Sequence, residues 1–299
     1  MDHRTSALAL AALLLAACSS APTEEKGKAN DLVIGGDDAS ERSADLYQMP
    51  TPNELFHLVR GMAGEGQKRM MNPQTNVDRY VTLPARALNF GVYATDMVYA
   101  SNFKITSEVV RYYLTCKRLG EQLGLNTVFS DAEYMRLEHN LAHGDSLEVL
   151  SNDIYARAYE KMQAENMGAT LSLVLAGGWV ESMHLVLGHI RKFDPADSLV
   201  ARVAEQKAGL DHLLKLMDQY KEDPNVAPVR AGFQTLQNIY DQFNVQRSAH
   251  QGASPSGRMV LGDDVTITMT SEKYTELNTA LEHLRSTIVR GEDGTQTNS

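Results

Sequence analysis

The sequence predicts an all-α protein in which a single antiparallel multi-helix domain of about nine helices forms the folded part of the chain. Three observations predict this fold class. Helix start signals recur along the chain, most connections between them are short, and the alternation typical of β-strands is nearly absent outside residues 265–269. A helical-hairpin repeat of about 34 residues would show a recurring motif, and none is present, so we do not expect a regular repeat.

The first 17 residues are predicted to be a lipoprotein signal peptide. Residues 6–17 are apolar and uncharged, and this stretch is shorter than the roughly 20 residues that cross a bilayer. The run from Leu15 to Cys18 resembles a lipobox, in which two small residues precede the cysteine that becomes acylated. We therefore expect residues 1–17 to be removed and Cys18 to be lipidated. The alternatives are an ordinary signal peptide followed by a chance cysteine, and a short membrane anchor.

Residues 18–49 are predicted to be the lipidated cysteine and a flexible tether, because Ser, Ala, Gly and charged residues dominate them. The two or three acyl chains of a lipoprotein hold it on a membrane far more firmly than one chain would. Ser19 and Ser20 lack the aspartate that favours the inner membrane, so an outer membrane lipoprotein is expected. The periplasmic face is favoured over the cell surface, because Glu24 and Glu25 only loosely resemble an acidic export signal.

Capping patterns define the helical domain predicted over residues 50–247. The first is Thr51 as N-cap, Pro52 at the first helical position and Glu54 completing a capping box. The other expected caps and boxes are Thr82, Thr106, Ser130–Glu133, Asp145–Glu148, Asp194 before Pro195, Asp223 before Pro224, and Ser271. The expected helices cover residues 52–63, 83–103, 107–123, 131–142, 146–166, 169–193, 195–222, 225–244 and 272–289.

The C-terminal part is predicted to contain one long loop and one helix. Residues 248–270 are expected to be a mobile loop because Gly, Ser and Pro are concentrated at 252–257, with a short extended piece at 265–269. Residues 271–290 are expected to be a helix that packs on the domain, and residues 291–299 a disordered tail.

Charge and cysteine content exclude several function classes. The net charge is −10 and there is no stripe of lysine or arginine, which argues against nucleic acid as a partner. Apart from Cys18 the only cysteine is Cys116, so no intramolecular disulfide is expected after acylation. We expect Cys116 to be a small buried hydrophobe, because no base for a nucleophilic thiol is identifiable.

Two of the expected helices are almost uncharged. Asp96 is the only charge between residues 87 and 103 of the first of these helices, and Glu181 is the only formal charge between residues 169 and 188 of the second. Helices that are apolar all round are buried on most sides, so these two should be central. Gly177 and Gly178 in mid-helix, and Gly91, indicate close contact with another backbone.

The two acids are candidate buried ligand or polar residues. Asp96 shares a helix face with Tyr93 and Tyr99, and Glu181 shares one with His184. A buried carboxylate is costly unless it is paired. We therefore expect each acid to have a partner, for which tyrosine hydroxyls, His184, an arginine and helix N-termini are the candidates.

Glu181 and His184 also have the Glu-x-x-His spacing of di-iron helical bundles. Such a site needs a second motif of this kind and two more helical glutamates. The other neighbouring acids and histidines are Glu138–His139, Glu282–His283 and the pair His139 with His143, and none has the spacing and further ligands required. The favoured interpretation is a hydrogen-bonded polar pair that specifies core packing, with no metal, no cofactor and no catalytic residue assigned.

The remaining aromatic and methionine residues are expected to pack. Tyr112, Tyr113, Tyr155 and Tyr159 lie at helical spacings, which favours core or rim packing over a sugar-binding platform. The pair Met70–Met71 is expected to plug the core from a loop. Phosphate-loop, nucleophile-elbow, haem-attachment and zinc-protease motifs are all missing from the sequence.

Several segments of the domain carry a resemblance to a known family. These are residues 52–55, 76–80, 87–93 together with Asp96 and Tyr99, 145–147, and 173–181. Together they resemble an uncharacterised family of predicted lipoproteins from the Bacteroidetes group of bacteria, over about residues 50–245. The resemblance implies an envelope lipoprotein and supplies no activity. In that family the position of Glu181 is regularly Glu, whereas a His at the position of His184 is not regular, which further disfavours a metal.

Three functional hypotheses follow. The favoured one is a non-enzymatic accessory or scaffold lipoprotein that is anchored through Cys18 and binds another envelope protein. The alternative is a protein that binds a small ligand or metal, with Asp96, Glu181 and His184 lining an internal site. A hydrolase or other enzyme is the third, and it would need these acids in an accessible cleft.

Overall fold

A computed structural model describes residues 55–56, 59–61, 65–143, 147–249 and 263–291. All of them belong to the compact unit Ala39–Ser299. Cys18, residues 1–49 and residues 292–299 lie outside the described residues, so the predicted signal peptide, lipidation and tether stay predictions. Within the described ranges the protein is all-α, as predicted, with one small hairpin and no repeated unit.

Nine α-helices are described from end to end. They are α1 (Leu83–Asn102), α2 (Thr106–Gln122), α3 (Asp131–His143), α4 (Leu147–Ala164), α5 (Gly168–Leu187), α6 (Ser198–Glu205), α7 (Lys207–Asp218), α8 (Ala227–Tyr240) and α9 (Ser271–Arg290). Two short 3-10 helices, Lys68–Met70 and Gln74–Arg79, precede them. Residues 55–56 and 59–61 are also helical and fall within the helix expected over 52–63.

The expected caps are right at some helices and wrong by one residue at others. Thr82 caps α1, and its hydroxyl accepts a hydrogen bond from the Ala85 amide. Thr106 is wrong as a cap, because it is the first residue of α2 and the position before it makes no side-chain cap. At α9 the cap is Thr270 and not Ser271, since Thr270 has the extended backbone that a cap requires and accepts from the Lys273 amide.

The helix expected over residues 195–222 is two helices, α6 and α7, which meet at Gln206. The amide of Gln206 bonds the carbonyl of Val203, three residues back, and this tighter turn ends α6. The expected cap Asp194 instead closes a turn by accepting from the Ala196 amide, and Asp197 caps α6. An aspartate before a proline can therefore form an Asx turn instead of a helix cap.

A β-hairpin occupies part of the segment that was expected to be a loop over residues 248–270. Strand β1 (Asn244–Ala249) pairs antiparallel with β2 (Asp263–Thr268), and Val245 lies opposite Ile267. The extended piece expected at 265–269 thus overlaps β2, whereas β1 was not predicted. Residues 250–262 lie outside the described residues.

Helices α1 and α5 form the centre of the core. Residues 87–102 of α1 and 170–183 of α5 are buried without interruption. Helix α5 is also long and apolar enough to cross a membrane, and it is the one such helix among the described residues. However, 94% of its apolar window is buried inside the protein, as in the core helix of a globular domain.

Glycines bring the backbones of α1 and α5 into direct contact. A Cβ atom on Gly91 would lie 2.0 Å from the carbonyl oxygen of Val174, and one on Gly177 would lie 1.9 Å from that of Leu88. The predicted close approach is therefore confirmed at these two positions. Helix α9 packs along α5 and α8, and α2 packs along α1, so that the centre is covered on several sides.

Candidate functional site

The α1–α5 contact brings the two predicted acids together. Asp96 lies five residues after Gly91, and Glu181 lies four residues after Gly177. The two side chains are close enough for the charge of Glu181 to raise the pKa of Asp96. Both residues have 0% of their surface exposed to solvent. The acids are therefore neighbours in a closed interior, which the sequence could not establish.

Arg285 from α9 is the charged partner of Glu181. Its Nε lies 2.7 Å from Oε2 and its Nη2 lies 2.7 Å from Oε1, a two-bond pairing of planar groups. Only 13% of the Arg285 side chain is exposed. Burial by itself lowers the pKa of the Arg285 guanidinium, but the charge and hydrogen bonds of Glu181 outweigh it and raise that pKa. The guanidinium of Arg285 therefore keeps its charge.

Asp96 is the acid whose pKa the buried environment raises. Burial raises the pKa of Asp96 well above its usual range, and the negative charge of Glu181 raises it further. Its Oδ2 accepts the amide hydrogen of Asn72 at 3.0 Å, whereas Oδ1 accepts from no donor among the described residues. The direction of this shift favours the protonated form of Asp96, which adds no negative charge beside Glu181.

These side chains hold an irregular stretch of backbone, Gln67–Pro73, which we call the anchored segment. Arg285 Nη2 lies 3.3 Å from the carbonyl oxygen of Met70, and Asp96 binds the amide of Asn72 as described. The segment contains only a single turn of 3-10 helix. Most of its backbone N–H and C=O groups therefore need hydrogen-bond partners outside regular secondary structure. The acids and Arg285 satisfy part of that requirement.

Three core tyrosines bind the same segment. The hydroxyl of Tyr112 donates to the carbonyl of Asn72 at 2.9 Å, and that of Tyr93 donates to the carbonyl of Pro73 at 3.0 Å. The Tyr99 hydroxyl accepts from the Gln67 amide at 2.9 Å. The predicted tyrosine–Asp96 hydrogen bonds are therefore replaced by bonds from the tyrosines to backbone. Burial raises the pKa of Tyr93 and Tyr112, and it raises that of Tyr99 to about 12, so all three keep their hydrogens.

His184 does not join the two acids. Its Nδ1 lies 2.6 Å from Oε1 of Glu282, and its Nε2 lies 3.0 Å from the carbonyl oxygen of Met70. A carboxylate and a carbonyl both accept hydrogen bonds, so the ring satisfies both contacts only when both nitrogens carry hydrogen. His184 thus binds α9 and the anchored segment, and the hypothesis of an Asp96–Glu181–His184 ligand set stays a prediction.

Several residues of the cluster were not identified from the sequence. Asn72 lies in a stretch without periodicity, and its side chain bonds the Tyr80 hydroxyl. The sequence did contain a signal for Arg285, because it lies four residues after Leu281 and three before Ile288, on the apolar face of its helix. Both of these residues are buried. His189, whose ring nitrogen lies 2.9 Å from the Tyr99 hydroxyl, had none.

The predicted packing roles of the remaining cysteine, methionine and tyrosine residues are confirmed. Cys116 is buried, and burial raises the pKa of its thiol, as expected for a small core residue. Met71, which belongs to the anchored segment, is 3% exposed and packs into the core. The four tyrosines expected to pack are buried or half-buried against the core, namely Tyr112, Tyr113, Tyr155 and Tyr159.

The chemistry of the cluster is that of a closed polar core. Among the described residues, no three His, Cys, Asp or Glu side chains are grouped so that they could hold a metal ion. Both acids are sealed; Glu181 binds Arg285 and Asp96 binds the Asn72 amide. The arrangement can therefore order the anchored segment and fix α1, α5 and α9 relative to one another.

Comparison of the chain with protein-family models, with curated proteins and with solved structures found no match. The resemblance to predicted lipoproteins of the Bacteroidetes group thus stays a prediction.

Proposed function

We propose that the chain is a cell-envelope lipoprotein that acts as a non-enzymatic accessory or scaffold subunit and binds another envelope protein. One observation carries this proposal. Asp96 and Glu181, the two acids that a catalytic or ligand-binding interior would use, are fully buried and serve the fold.

The burial of the acids is the argument against the enzymatic and ligand-binding hypotheses. General acid or base catalysis needs a side chain within hydrogen-bond reach of the substrate, in an accessible cleft. A substrate at Glu181 would have to displace Arg285, and one at Asp96 would have to displace the anchored segment. Either displacement would leave a buried charge or amide without its partner, which is costly.

The lipid tether is the second part of the proposal. Lipid on Cys18, after removal of residues 1–17, would hold the domain at the outer membrane, with residues 18–49 as spacer. The periplasmic face is the favoured side. A body held at one membrane surface meets partners on that surface at raised effective concentration, which suits an accessory subunit.

The two cysteines make the tether testable with a matched control. Cells expressing the full chain are fed an alkyne-labelled fatty acid, and membrane and soluble fractions are compared for Cys18→Ser and for Cys116→Ser. We expect the label and the membrane fraction to be lost only in Cys18→Ser, because Cys116 is buried in the domain. An unlabelled wild-type chain, or mass-spectrometric detection of Met1 on the mature protein, would contradict the proposal.

The partner is tested by detergent extraction of native membranes and pull-down of the full chain at native abundance. We expect recovery of one or more envelope proteins in stoichiometric amounts, and a reduced yield with Cys18→Ser. Recovery of the chain alone from both preparations would rule out the scaffold function. Turnover by the purified protein that Glu181→Gln abolishes, with the thermal midpoint unchanged, would establish the enzymatic hypothesis instead.

A further inference from the structure

Exposed apolar side chains and arginines lie together where α1 begins and α9 ends. We call this surface the basic apolar patch and define it by Arg79, Val81, Leu83, Arg86 and Arg290. Val81 and Leu83 are 58% and 44% exposed. They are two of the five large apolar side chains that are exposed in the part of the chain that the structure describes, and they are only two residues apart.

Hydrogen bonds and a close contact bring the segments of the patch together. The Nε of Arg86 donates to the carbonyl of Tyr80 at 3.2 Å, and the Tyr80 hydroxyl donates to the carbonyl of Val289 at 2.9 Å. Gly291, at the end of α9, packs against Arg79, since a Cβ atom on this glycine would lie 3.1 Å from the Arg79 carbonyl oxygen. The chain before α1, the first turn of α1 and the end of α9 therefore form one continuous surface.

The apolar side chains and Arg86 share one side of this surface. Thr82, which lies between Val81 and Leu83, has an extended backbone. Side chains two residues apart in extended chain point the same way, so Val81 and Leu83 do so here. Leu83 and Arg86 are three residues apart in the first turn of α1, which places them on one helix face.

The three arginines of the patch have no acidic partner among the described residues. Arg79 and Arg290 are exposed and form no ion pair there, and Arg86 uses its Nε on a backbone carbonyl. Asp78, the acid beside Arg79 in sequence, is already paired with Arg118. The patch therefore carries three positive charges that no described acid compensates.

The net charge of −10 does not cancel this local charge. Interactions between exposed charges are largely screened beyond about 8 Å at physiological ionic strength. Glu272 and Glu276 are on the same helix as Arg290, but they lie at least about 20 Å from it along the axis. Glu292 and Asp293 follow that helix and lie outside the described residues. Because the arginines come from separate segments, the fold forms a basic surface although the sequence has no basic stripe.

From these observations we infer that the basic apolar patch contacts an anionic phospholipid membrane, with Val81 and Leu83 in the interfacial region and the arginines at lipid phosphates. The planar guanidinium of arginine pairs well with phosphate, and its aliphatic stem can lie along an apolar surface. An acidic protein segment complements the arginines alone. A lipid surface complements both the charges and the exposed aliphatic side chains.

The inference rests on the proposed function, because it adds a second and weaker membrane contact to the tether. A flexible chain of 32 residues, as predicted for residues 18–49, has a root-mean-square span of about 30 Å. Lipid on Cys18 would therefore keep the patch close to the membrane at a high effective concentration. Two aliphatic side chains bury too little apolar surface to hold the protein there without that lipid, in keeping with the expected loss of Cys18→Ser from membranes. The contact orients the domain and leaves its other surfaces open to a protein partner.

The contact is tested by quenching of tryptophan fluorescence from two matched positions. Val81→Trp places the probe in the patch, and Val245→Trp places it on β1, whose partner strand ends just before the start of α9. Val245 is 43% exposed, and the native Trp179 is buried in both variants. The full chain, as cells make it, is combined with phosphatidylcholine vesicles that contain brominated acyl chains and about 30% phosphatidylglycerol. We expect quenching at position 81 to be at least about threefold greater than at position 245.

The role of the arginines is tested in the Val81→Trp chain with a second matched pair. Arg290→Gln removes a charge of the patch, and Arg191→Gln removes one from the loop after α5. Both arginines are exposed, and neither forms an ion pair among the described residues. Phe193, close to Arg191, packs on Tyr274 at the opposite end of α9. We expect Arg290→Gln to lower the ratio of membrane-contacting to free domain about fivefold, and Arg191→Gln to leave it unchanged.

The possible results separate the patch from the tether. Equal quenching at positions 81 and 245 of a lipidated chain, or none at 81, would overturn the patch and leave the proposed function standing. A chain without acyl groups would overturn the tether, and quenching at position 81 on mixing that chain with vesicles would still decide for or against the patch.

Two further results would overturn the assigned occupant. One is quenching at position 81 that persists in vesicles of phosphatidylcholine alone, or that Arg290→Gln leaves unchanged. The other comes from a photoreactive amino acid in place of Leu83 in cells expressing the full chain. We expect it to cross-link to phospholipid, and cross-links to an acidic protein segment instead would show that the patch binds protein.

Discussion

Asp96 and Glu181 would repel each other strongly if both were ionised, because solvent does not reach the core to screen them. Burial and the charge of Glu181 both raise the pKa of Asp96, which favours its neutral form and reduces this repulsion. Arg285 pairs with Glu181 through two hydrogen bonds. The two acids therefore have different environments, since one is paired with a cation and the other is not.

The raised pKa of Asp96 predicts a specific pH dependence of stability. Its pKa is raised in the folded protein above the usual value of 3.8, so the folded state binds more protons than the unfolded state above that pH. The stabilising contribution is fully present below about pH 3.8 and is lost as pH rises through the folded-state pKa. We expect Asp96→Asn to remove this loss, so that its free energy of unfolding relative to wild type improves with rising pH.

Urea denaturation between pH 5 and pH 9 measures this effect. Asp131→Asn is the control, because the Asp131 side chain is 100% exposed. We expect that control to keep the wild-type pH slope. A slope for Asp96→Asn identical to that of wild type would show that Asp96 is ionised in the folded protein.

Substitutions of Glu181 and Arg285 are expected to have non-additive effects on the free energy of unfolding. Glu181→Gln leaves the Arg285 charge buried without its partner, and Arg285→Met does the same to Glu181, so we expect each to cost about 3–5 kcal/mol. The double variant removes both charges and should lose much less than the sum of the two single variants. Guanidinium unfolding of the purified full chain gives the three values.

The exposed pair Arg202–Glu205 is the control for this cycle. Its side chains are 37% and 44% exposed, so single substitutions there should cost about 0–1 kcal/mol. Additive losses at Glu181 and Arg285 would contradict a coupled buried pair.

At the scale of elements, the α1–α5 contact predicts different results at two adjacent glycines. A Cβ on Gly177 would lie 1.9 Å from the Leu88 carbonyl oxygen, whereas one on Gly178 is 3.2 Å from the Thr95 hydroxyl. Alanine raises helix propensity at both positions by about 1 kcal/mol. We expect Gly177→Ala to destabilise by roughly 1–3 kcal/mol because the helices must separate, and Gly178→Ala to stay within about 1 kcal/mol of wild type. Thermal unfolding of both variants checks this, and equal midpoints would disprove the close contact.

The elements also show which features the sequence can predict. Helices α1 and α5 were predictable as central because each carries a single acid in an otherwise uncharged run. The break at Gln206 was not, because nothing in its neighbourhood resembles a stop signal and the turn is set by a local 3-10 hydrogen bond. Strand β1 was missed because its six residues lack alternation, and it depends on pairing with β2.

The site was less predictable than the fold for a physical reason. Periodicity indicates which face of a helix is buried, so it identified Asp96 and Glu181 as buried acids. It does not indicate which distant element supplies the partner. Arg285 is 104 residues from Glu181 in the chain, and Asn72 belongs to a segment that has no periodicity.

At the scale of the whole molecule, the buried cluster joins segments that are far apart in sequence. Arg285 contacts Met70 across 215 residues and Glu181 across 104. Contacts of such separation form only after large loops have closed. We therefore expect the anchored segment to become ordered together with the packing of α9 on α5, and not as a local unit.

Hydrogen exchange tests this cooperative ordering at a single amide. The amides of Asn72 and Ala196 both lie in irregular chain and both donate to an aspartate, but Asp96 is sealed in the core and Asp194 is at the surface. We expect the Asn72 amide to exchange only through global unfolding, at least about a thousandfold more slowly than that of Ala196. Because α9 closes the cluster through Arg285, Arg285→Met should accelerate exchange at Asn72 and leave Ala196 unchanged. Rapid exchange at Asn72 in the wild-type chain would mean that the segment opens locally, and the buried cluster would then not unite these elements into one folding unit.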